Sequence, residues 1–266
     1  MSGAPALRRL CLVTGASAGI GAAFARLYAA EGYDVALTAR RADRLETLAA
    51  SLRDGFGVEA FAVPGDLASP DTPGRLVADL AARGRVVDAL VNNAGYGLRG
   101  DHGTRPWAEH QAFLQVLVAA PAALAHEVVP GMVERGFGRI INVASLLGLM
   151  PSLPGQGLYS ASKAFLVKFS EGLHLETRGT GVHVTALCPG LTRSEFHAVA
   201  DMNEVTAQAP AWVWQEAEAV ARAGYAAVEA NRAICVPGAP NKAMAALFKL
   251  LPERLGMALT ERSQNR

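Results

Sequence analysis

Short apolar runs alternate with longer amphipathic stretches along almost the whole chain. The runs are continuous and rich in valine, isoleucine and leucine, which is typical of strands buried on both faces of a sheet. They lie at residues 10–14, 34–38, 58–63, 89–92, 139–144, 183–187 and 234–236. Repeated strand–helix units favour a parallel sheet with right-handed crossovers and helices on both faces. The expected fold class is therefore α/β, with a doubly wound parallel sheet.

Helical periodicity fills the gaps between these runs. It predicts helices at residues 20–31, 42–52, 70–83, 107–135, 159–178 and 215–231. We expect Pro121 and Pro130 to interrupt the helix at 107–135, because proline has no amide hydrogen to donate. No linker or internal repeat is visible, so we predict one domain spanning residues 1–266.

Two segments depart from this alternation. Residues 190–214 show weak helical signals over a length that is usually functional in a compact domain, so we predict a substrate loop there. Residues 241–266 form a basic, partly amphipathic tail. We expect the tail to pack on the body or on another subunit, with a membrane-surface role as the alternative.

Charge and composition exclude several classes of protein. The 266 residues carry 25 basic and 24 acidic side chains, and 51% are apolar, so disorder is excluded and nucleic acid is not an expected partner. The longest apolar stretch, 116–125, contains Pro121 and is shorter than the roughly 20 residues that span a membrane. Three widely spaced cysteines predict neither disulfides nor zinc, and the histidine spacing predicts no metal site. A cytoplasmic location is expected.

A glycine-rich segment joins the first strand to the first helix. It reads Thr14-Gly15-Ala16-Ser17-Ala18-Gly19-Ile20-Gly21. Glycine permits a tight turn and a close approach of backbone to a pyrophosphate, and the helix N-terminus presents free amides to the phosphates. The segment predicts a dinucleotide site, with a merely tight strand–helix turn as the alternative.

Two arginines follow the second strand, about 20 residues after the glycines. An acidic residue at this place would bind a ribose 2′-hydroxyl, but the sequence has Arg40 and Arg41. A guanidinium matches a 2′-phosphate in shape and charge, which favours NADP(H) over NAD(H). The alternative is that both arginines only solvate the start of a helix.

Three residues in the second half suggest proton chemistry. Tyr159 and Lys163 are four residues apart and share one helix face, and Ser145 follows the strand at 139–144. A phenol titrates near pH 10, and a nearby ammonium together with an oxidised nicotinamide favours the phenolate. We expect Tyr159 to exchange a proton with a substrate oxygen that Ser145 polarises.

Taken together, these motifs resemble the short-chain dehydrogenase/reductase family over about residues 8–238. The resemblance is carried by Thr14-Gly15-x-x-x-Gly19-Ile20-Gly21, Asn92-Asn93-Ala94-Gly95, Ser145, Tyr159-x-x-x-Lys163 and Pro189-Gly190, in family order and spacing. It implies a Rossmann-type sheet of about seven strands. It also implies a homodimer or homotetramer.

The resemblance further implies roles for individual residues. Asp66 and Leu67 would lie beside the adenine, and Asn93, Ala94 and Gly95 would line the adenine ribose. Tyr159 and Lys163 would also contact the nicotinamide ribose. The carboxamide would be met by Pro189, Gly190, Thr192 and Ser194.

One position departs from the family pattern. Alignment on Pro130-Gly131-Met132 puts Leu117 where the family has a catalytic asparagine that holds a water linking the lysine to solvent. Leucine has no side-chain donor or acceptor, so the relay is either rebuilt or impaired.

The expected function is an NADP(H)-dependent oxidoreductase that acts on a carbonyl or secondary alcohol of a small molecule. An apolar substrate is expected from the side chains near the site: Leu146, Leu147, Leu149, Met150, Leu153, Phe196, Met202, Trp212 and Trp214. The alternative, which rests on Leu117, is a catalytically weak dinucleotide-binding scaffold or sensor.

Overall fold

Seven parallel strands form the central sheet of the computed structural model, which describes residues 7–98, 100–195 and 210–264. The strands of this sheet are β1 (Leu10–Thr14), β2 (Asp34–Thr38), β3 (Ala60–Ala62), β4 (Val87–Asn92), β5 (Gly138–Val143), β6 (Val182–Leu187) and β9 (Ile234–Cys235), while β7 (Thr192–Arg193) and β8 (Gln215–Glu216) form a separate pair. The order in the central sheet is β3-β2-β1-β4-β5-β6-β9. The order reverses between β1 and β4, and ligands of open α/β sheets bind at such a reversal. The predicted doubly wound fold is confirmed.

Helices cover both faces of this sheet. They are α1 (Gly19–Ala30), α2 (Ala42–Phe56), α3 (Thr72–Ala82), α4 (Trp107–Leu114), α5 (Ala120–Glu134), α6 (Gly157–Glu176), α7 (Ala217–Glu229), α8 (Ala239–Leu250) and α9 (Glu253–Gln264). Side chains of β1 alternate between two cores. Cys11 and Val13 pack in the core beneath α1, α2 and α7, whereas Leu10 and Leu12 pack in the core that contains α3 and α5.

The predicted interruption of the helix at 107–135 is wrong for Pro130, which lies inside α5, whereas the α-helical register does change directly before Pro121. One π-helical turn, Gln115–Ala119, joins α4 to α5, and the Ala120 amide bonds to the Gln115 carbonyl five residues back. The change of register comes directly before Pro121, which has no amide hydrogen to donate. The combined helix Trp107–Glu134 is long and apolar enough to span a membrane. Its buried residues pack against the sheet as part of a core.

Three boundaries differ from expectation. The third strand is only Ala60–Ala62, because it lies at the sheet edge and pairs with β2 over three residues. Within the predicted substrate loop, Thr192–Arg193 (β7) pairs with Gln215–Glu216 (β8), and residues 196–209 lie outside the described residues. The tail begins with α8, whose Asn241 is buried.

The turn after β1 sets the shape of the sheet's carboxyl edge. Gly15 and Gly19 have φ angles of +64° and +56°, a region that favours glycine. A Cβ on Gly21 would clash with the Gly15 carbonyl oxygen and lie 2.6 Å from Asn93 Nδ2. Helix α1 can therefore approach β1 and β4 this closely only with glycine at position 21.

We expect Gly21→Ala to lower the melting temperature by about 2–12 °C, since overpacking a core costs about 1–3 kcal/mol. Differential scanning calorimetry measures the change. Gly55→Ala is the matched control, because a Cβ at Gly55 in α2 meets open space. A Gly21→Ala protein as stable as the Gly55→Ala protein would contradict this account of the turn.

Candidate active site

A cavity of about 760 Å³ opens at the carboxyl ends of the central strands. It brings together the predicted catalytic residues and all but one of the predicted cofactor residues. Its walls contain Gly15, Ser17, Gly19, Ile20, Arg40, Arg41, Asp66, Leu67, Asn93, Ala94, Gly95, Ser145, Tyr159, Lys163, Pro189, Gly190, Thr192 and Ser194. Gly21 is buried behind the turn and supports the wall without lining it.

Hydrogen bonds from β4 fix the floor of the cavity under the glycine turn. Asn93 Nδ2 donates to the carbonyl oxygens of Thr14 (3.0 Å) and Gly15 (3.2 Å). The Thr14 hydroxyl accepts from the amides of Asn93 (2.9 Å) and Ala94 (3.0 Å). Gly15, Gly19 and Gly21 carry no side chains themselves, so the backbone of the turn can approach a pyrophosphate as a dinucleotide requires.

The far end of the cavity is polar and exposed. Arg41 Nη2 donates to Ser17 Oγ at 2.9 Å, and Arg41 Nη1 lies 2.9 Å from a Glu195 carboxylate oxygen. Arg40 is exposed on the same wall. Asp66 Oδ1 accepts from the Ala68 amide at 3.0 Å, which holds the start of this wall in a turn. Guanidinium and hydroxyl donors together fit an anionic group such as a 2′-phosphate.

The inner end carries the titratable residues. Ser145 caps the 3₁₀ turn Leu146–Gly148 after β5, and its oxygen accepts from the Leu147 amide at 3.2 Å. Tyr159 and Lys163 project from the first turns of α6, and the Lys163 nitrogen lies 5.6 Å from the centre of the Tyr159 ring. Lys163 Nζ donates to the Val143 carbonyl at 2.8 Å. The predicted trio therefore shares one pocket.

Burial shifts the pKa values of Tyr159 and Lys163 in opposite directions, because it penalises the charged form of each group. It raises the pKa of Tyr159 to about 12, and a hydrogen bond with Ser145 acts in the opposite sense. It lowers the pKa of Lys163 to about 8, with a smaller raising effect from Cys188. At neutral pH the tyrosine is a proton donor and the lysine is mostly charged.

Leu117 lies within the π turn and is fully buried. A Cβ built on Gly95 would lie 3.6 Å from Leu117 Cγ and 3.8 Å from Lys163 Nζ. The leucine and the lysine therefore flank the same glycine. An apolar side chain therefore packs beside the glycine that also adjoins the buried ammonium.

The segment after β6 forms a further wall of the cavity. Thr192 Oγ1 donates to the Gly190 carbonyl at 3.1 Å, and a Cβ on Gly190 would clash with the Asn241 side chain. Asn241 also donates to Gln215 Oε1 at 3.0 Å. Helix α8 is thereby fixed against the cavity, and its Met244 lines the wall.

The apolar side chains predicted near the substrate divide into two groups. Leu146, Leu147, Met150 and Leu153 line the cavity, whereas Leu149 packs in a neighbouring core. The prediction was wrong for two tryptophans of the described part of the loop, which lie outside the cavity wall: Trp212 is 67% exposed, and Trp214 packs under the Arg193 guanidinium. Phe196 and Met202 lie outside the described residues.

Sequence reasoning missed several residues of this wall. They are Ala112, Val116, Gln156, Glu195 and Met244. Ala112 and Val116 lie on the long helix at 107–134, for which the sequence predicted helical structure but no part in the site. Met244 comes from a tail with no motif. Glu195 directly follows Ser194, a predicted cofactor residue, but nothing local in the sequence indicates which side chains Glu195 contacts.

Comparison with known proteins agrees with this fold. The family model described as short chain dehydrogenase matches residues 9–204. A short chain dehydrogenase of Pseudocercospora fijiensis is 38% identical over 208 residues, which cover 76% of this chain and 65% of that protein. An NADP-dependent 3-hydroxy acid dehydrogenase of Salmonella typhi is 35% identical over 192 residues, covering 71% of this chain and 75% of that protein.

A solved structure is also similar. The short-chain dehydrogenase from Sphingobium yanoikuyae in complex with NADPH superposes with a TM-score of 0.79 at 30% identity, covering 92% of this chain and 97% of that one. Fold, cavity and family model thus agree. The chain belongs to the short-chain dehydrogenase/reductase family and is an NAD(P)-dependent oxidoreductase.

Proposed function

We propose that this protein is an NADP(H)-dependent reductase of apolar carbonyl compounds, working reversibly on the corresponding secondary alcohols, with Tyr159 as the proton donor. One observation carries the proposal. Ser145, Tyr159 and Lys163 meet in one pocket that is continuous with the glycine cradle. A substrate oxygen held there would lie beside a donor and a charged group.

Each residue has a distinct task in the proposed reaction. The bound nicotinamide supplies or accepts the hydride. The Ser145 hydroxyl positions the carbonyl oxygen and polarises it, while the Tyr159 hydroxyl delivers a proton to that oxygen. Lys163 stays charged below a pH of about 8 and stabilises the phenolate that remains.

The cofactor preference rests on the exposed end of the cavity. Arg41 and Ser17 present donors from two elements, and Arg40 adds a second positive charge on the wall. The Salmonella typhi relative is described as NADP-dependent, and the Sphingobium yanoikuyae structure contains NADPH. Both observations support NADP(H) over NAD(H).

The substrate class rests on the apolar side chains that line the same cavity as the catalytic trio. These side chains are mostly aliphatic, and they are Val116, Leu146, Leu147, Met150, Leu153 and Met244. Each buried CH₂ group of a substrate contributes about 0.8 kcal/mol on such a surface. An apolar ketone could place its carbonyl oxygen beside Ser145 and its apolar groups against these side chains.

We expect Tyr159→Phe to reduce kcat by about 10²–10⁴-fold, which is the usual contribution of general acid catalysis. NADPH binding should change little, because most cofactor contacts lie elsewhere in the cavity. Steady-state reduction assays and fluorescence titration measure the two effects. Tyr225→Phe is the control, because its hydroxyl contacts Glu31 at 3.3 Å, away from the cavity. Retention of more than about a tenth of kcat in Tyr159→Phe would show that another group donates the proton.

We expect the wild-type protein to bind NADPH about ten- to a hundredfold more tightly than NADH, as one charge-assisted hydrogen bond contributes about 1.5–3 kcal/mol. Arg40→Asp should reduce or invert this preference, and Arg41→Met should weaken NADPH binding alone. Calorimetric titration measures each Kd. Arg53→Met is the control, because Arg53 pairs with Glu46 on α2. Equal wild-type constants for the two cofactors would refute the preference.

We expect Leu117→Asn to lower the melting temperature and not to raise kcat. The position is fully buried, and a buried amide without adequate partners costs about 1–3 kcal/mol beyond the lost packing. Leu124→Asn is the matched control, because Leu124 is an equally buried leucine further along the same long helix, whereas Leu117 packs beside Gly95. A stable Leu117→Asn protein with faster turnover would instead mean that leucine impairs proton supply to Lys163.

A further inference from the structure

Glu195 lies at the exposed end of the cavity, two residues after the end of β7. The preceding residue, Ser194, packs on the glycine turn, and its Cβ lies 2.8 Å from the place where a Cβ on Gly19 would be. Glu195 and Arg41 both line the cavity wall. The segment that follows β7 therefore places a carboxylate beside arginines of the segment between β2 and α2 and of α2 itself.

The carboxylate of Glu195 is held by two guanidinium groups. Arg44 Nη1 contacts both of its oxygens, at 2.7 and 2.9 Å, and Arg41 Nη1 contacts one at 2.9 Å. These hydrogen bonds hold the pKa of Glu195 below its usual value, so the carboxylate is charged at neutral pH. The other terminal nitrogen of Arg41, Nη2, donates a hydrogen bond to Ser17 Oγ.

A carboxylate and a phosphate compete for the same guanidinium donors. Both are anions, and two oxygens of either group can accept charge-assisted hydrogen bonds from the terminal nitrogens of one guanidinium. Arg41 and Ser17 are the donors that the proposed function assigns to the 2′-phosphate. The Glu195 carboxylate therefore already binds Arg41, one of the donors that this phosphate would need.

We propose that Glu195 is a specificity-determining residue that competes with the 2′-phosphate of NADP(H) for Arg41 and so limits the preference over NAD(H). The inference rests on the proposed function. NADH has no 2′-phosphate and leaves the Glu195 contacts in place. NADPH must displace the carboxylate or share Arg41 with it, and either outcome weakens NADPH binding relative to a protein without the charge.

The expected size of the effect follows from exposure. Arg41, Arg44 and Glu195 have side chains 43%, 44% and 49% exposed, so the contacts are partly screened by water. Exposed ion pairs are individually weak. Two such pairs correspond to about a three- to thirtyfold change in affinity for a competing anion.

The test measures binding of adenosine 2′,5′-bisphosphate and adenosine 5′-monophosphate to the full-length protein by isothermal titration calorimetry. These probes differ only in the 2′-phosphate, and neither requires turnover. The variant is Glu195→Gln, which removes the charge and keeps the shape. The control is Glu216→Gln, because Glu216 on β8 pairs with Arg193 at 3.1 Å in a similarly exposed ion pair beside the same segment.

We expect Glu195→Gln to bind the bisphosphate about three- to thirtyfold more tightly than the wild type, with less than a twofold change for the monophosphate. Glu216→Gln should match the wild type with both probes. No gain in Glu195→Gln, including no measurable binding to either protein, overturns the inference. Weaker binding also overturns it and would mean that Glu195 orders the arginines for the phosphate.

The inference and the proposed cofactor preference fail separately. The preference fails if wild-type NADPH and NADH constants are equal. The competition still stands in that case if Glu195→Gln gains affinity for the bisphosphate. A wild type that prefers NADPH but gains nothing from Glu195→Gln retains the preference and loses the competition.

Discussion

The close approach of α1 to the ends of β1 and β4 determines the rest of the site. Only a hydrogen fits at position 21 between the Gly15 carbonyl and the Asn93 amide group. The Asn93 side chain then ties the glycine turn to β4, and the next residues of that segment lead to Gly95 beside Lys163. One steric constraint thus sets the distance between the phosphate cradle and the catalytic pocket.

Burial controls the proton chemistry at the inner end. The same desolvation keeps Tyr159 protonated and makes Lys163 easier to deprotonate. The Lys163 ammonium donates to the Val143 carbonyl, which carries no full charge. Its positive charge is therefore not neutralised by that contact and remains available to stabilise a phenolate. An apolar neighbour such as Leu117 strengthens this effect, because it excludes water.

The sequence was informative where a physical signal is local. The bounds of β1 and β2 were predicted to the residue, because each apolar run is cut off by polar and turn-forming residues. The third strand was predicted too long, since apolar character at 58–63 does not reveal that an edge strand pairs over three residues. Pro121 signalled a lost hydrogen bond but could not show whether the helix breaks or changes register.

Contacts between distant segments lie beyond such reasoning. Arg41 and Glu195 are 154 positions apart, and no motif joins them. Apolar character likewise predicted that Trp212 lies near the substrate, but its side chain is exposed and lies outside the cavity wall. These misses have a common cause, because ion pairs and loop packing depend on how the chain returns to the sheet edge.

The two ends of the cavity differ accordingly. The inner end holds a buried lysine that the fold positions, whereas the outer end joins exposed arginines to a carboxylate from another segment of the chain.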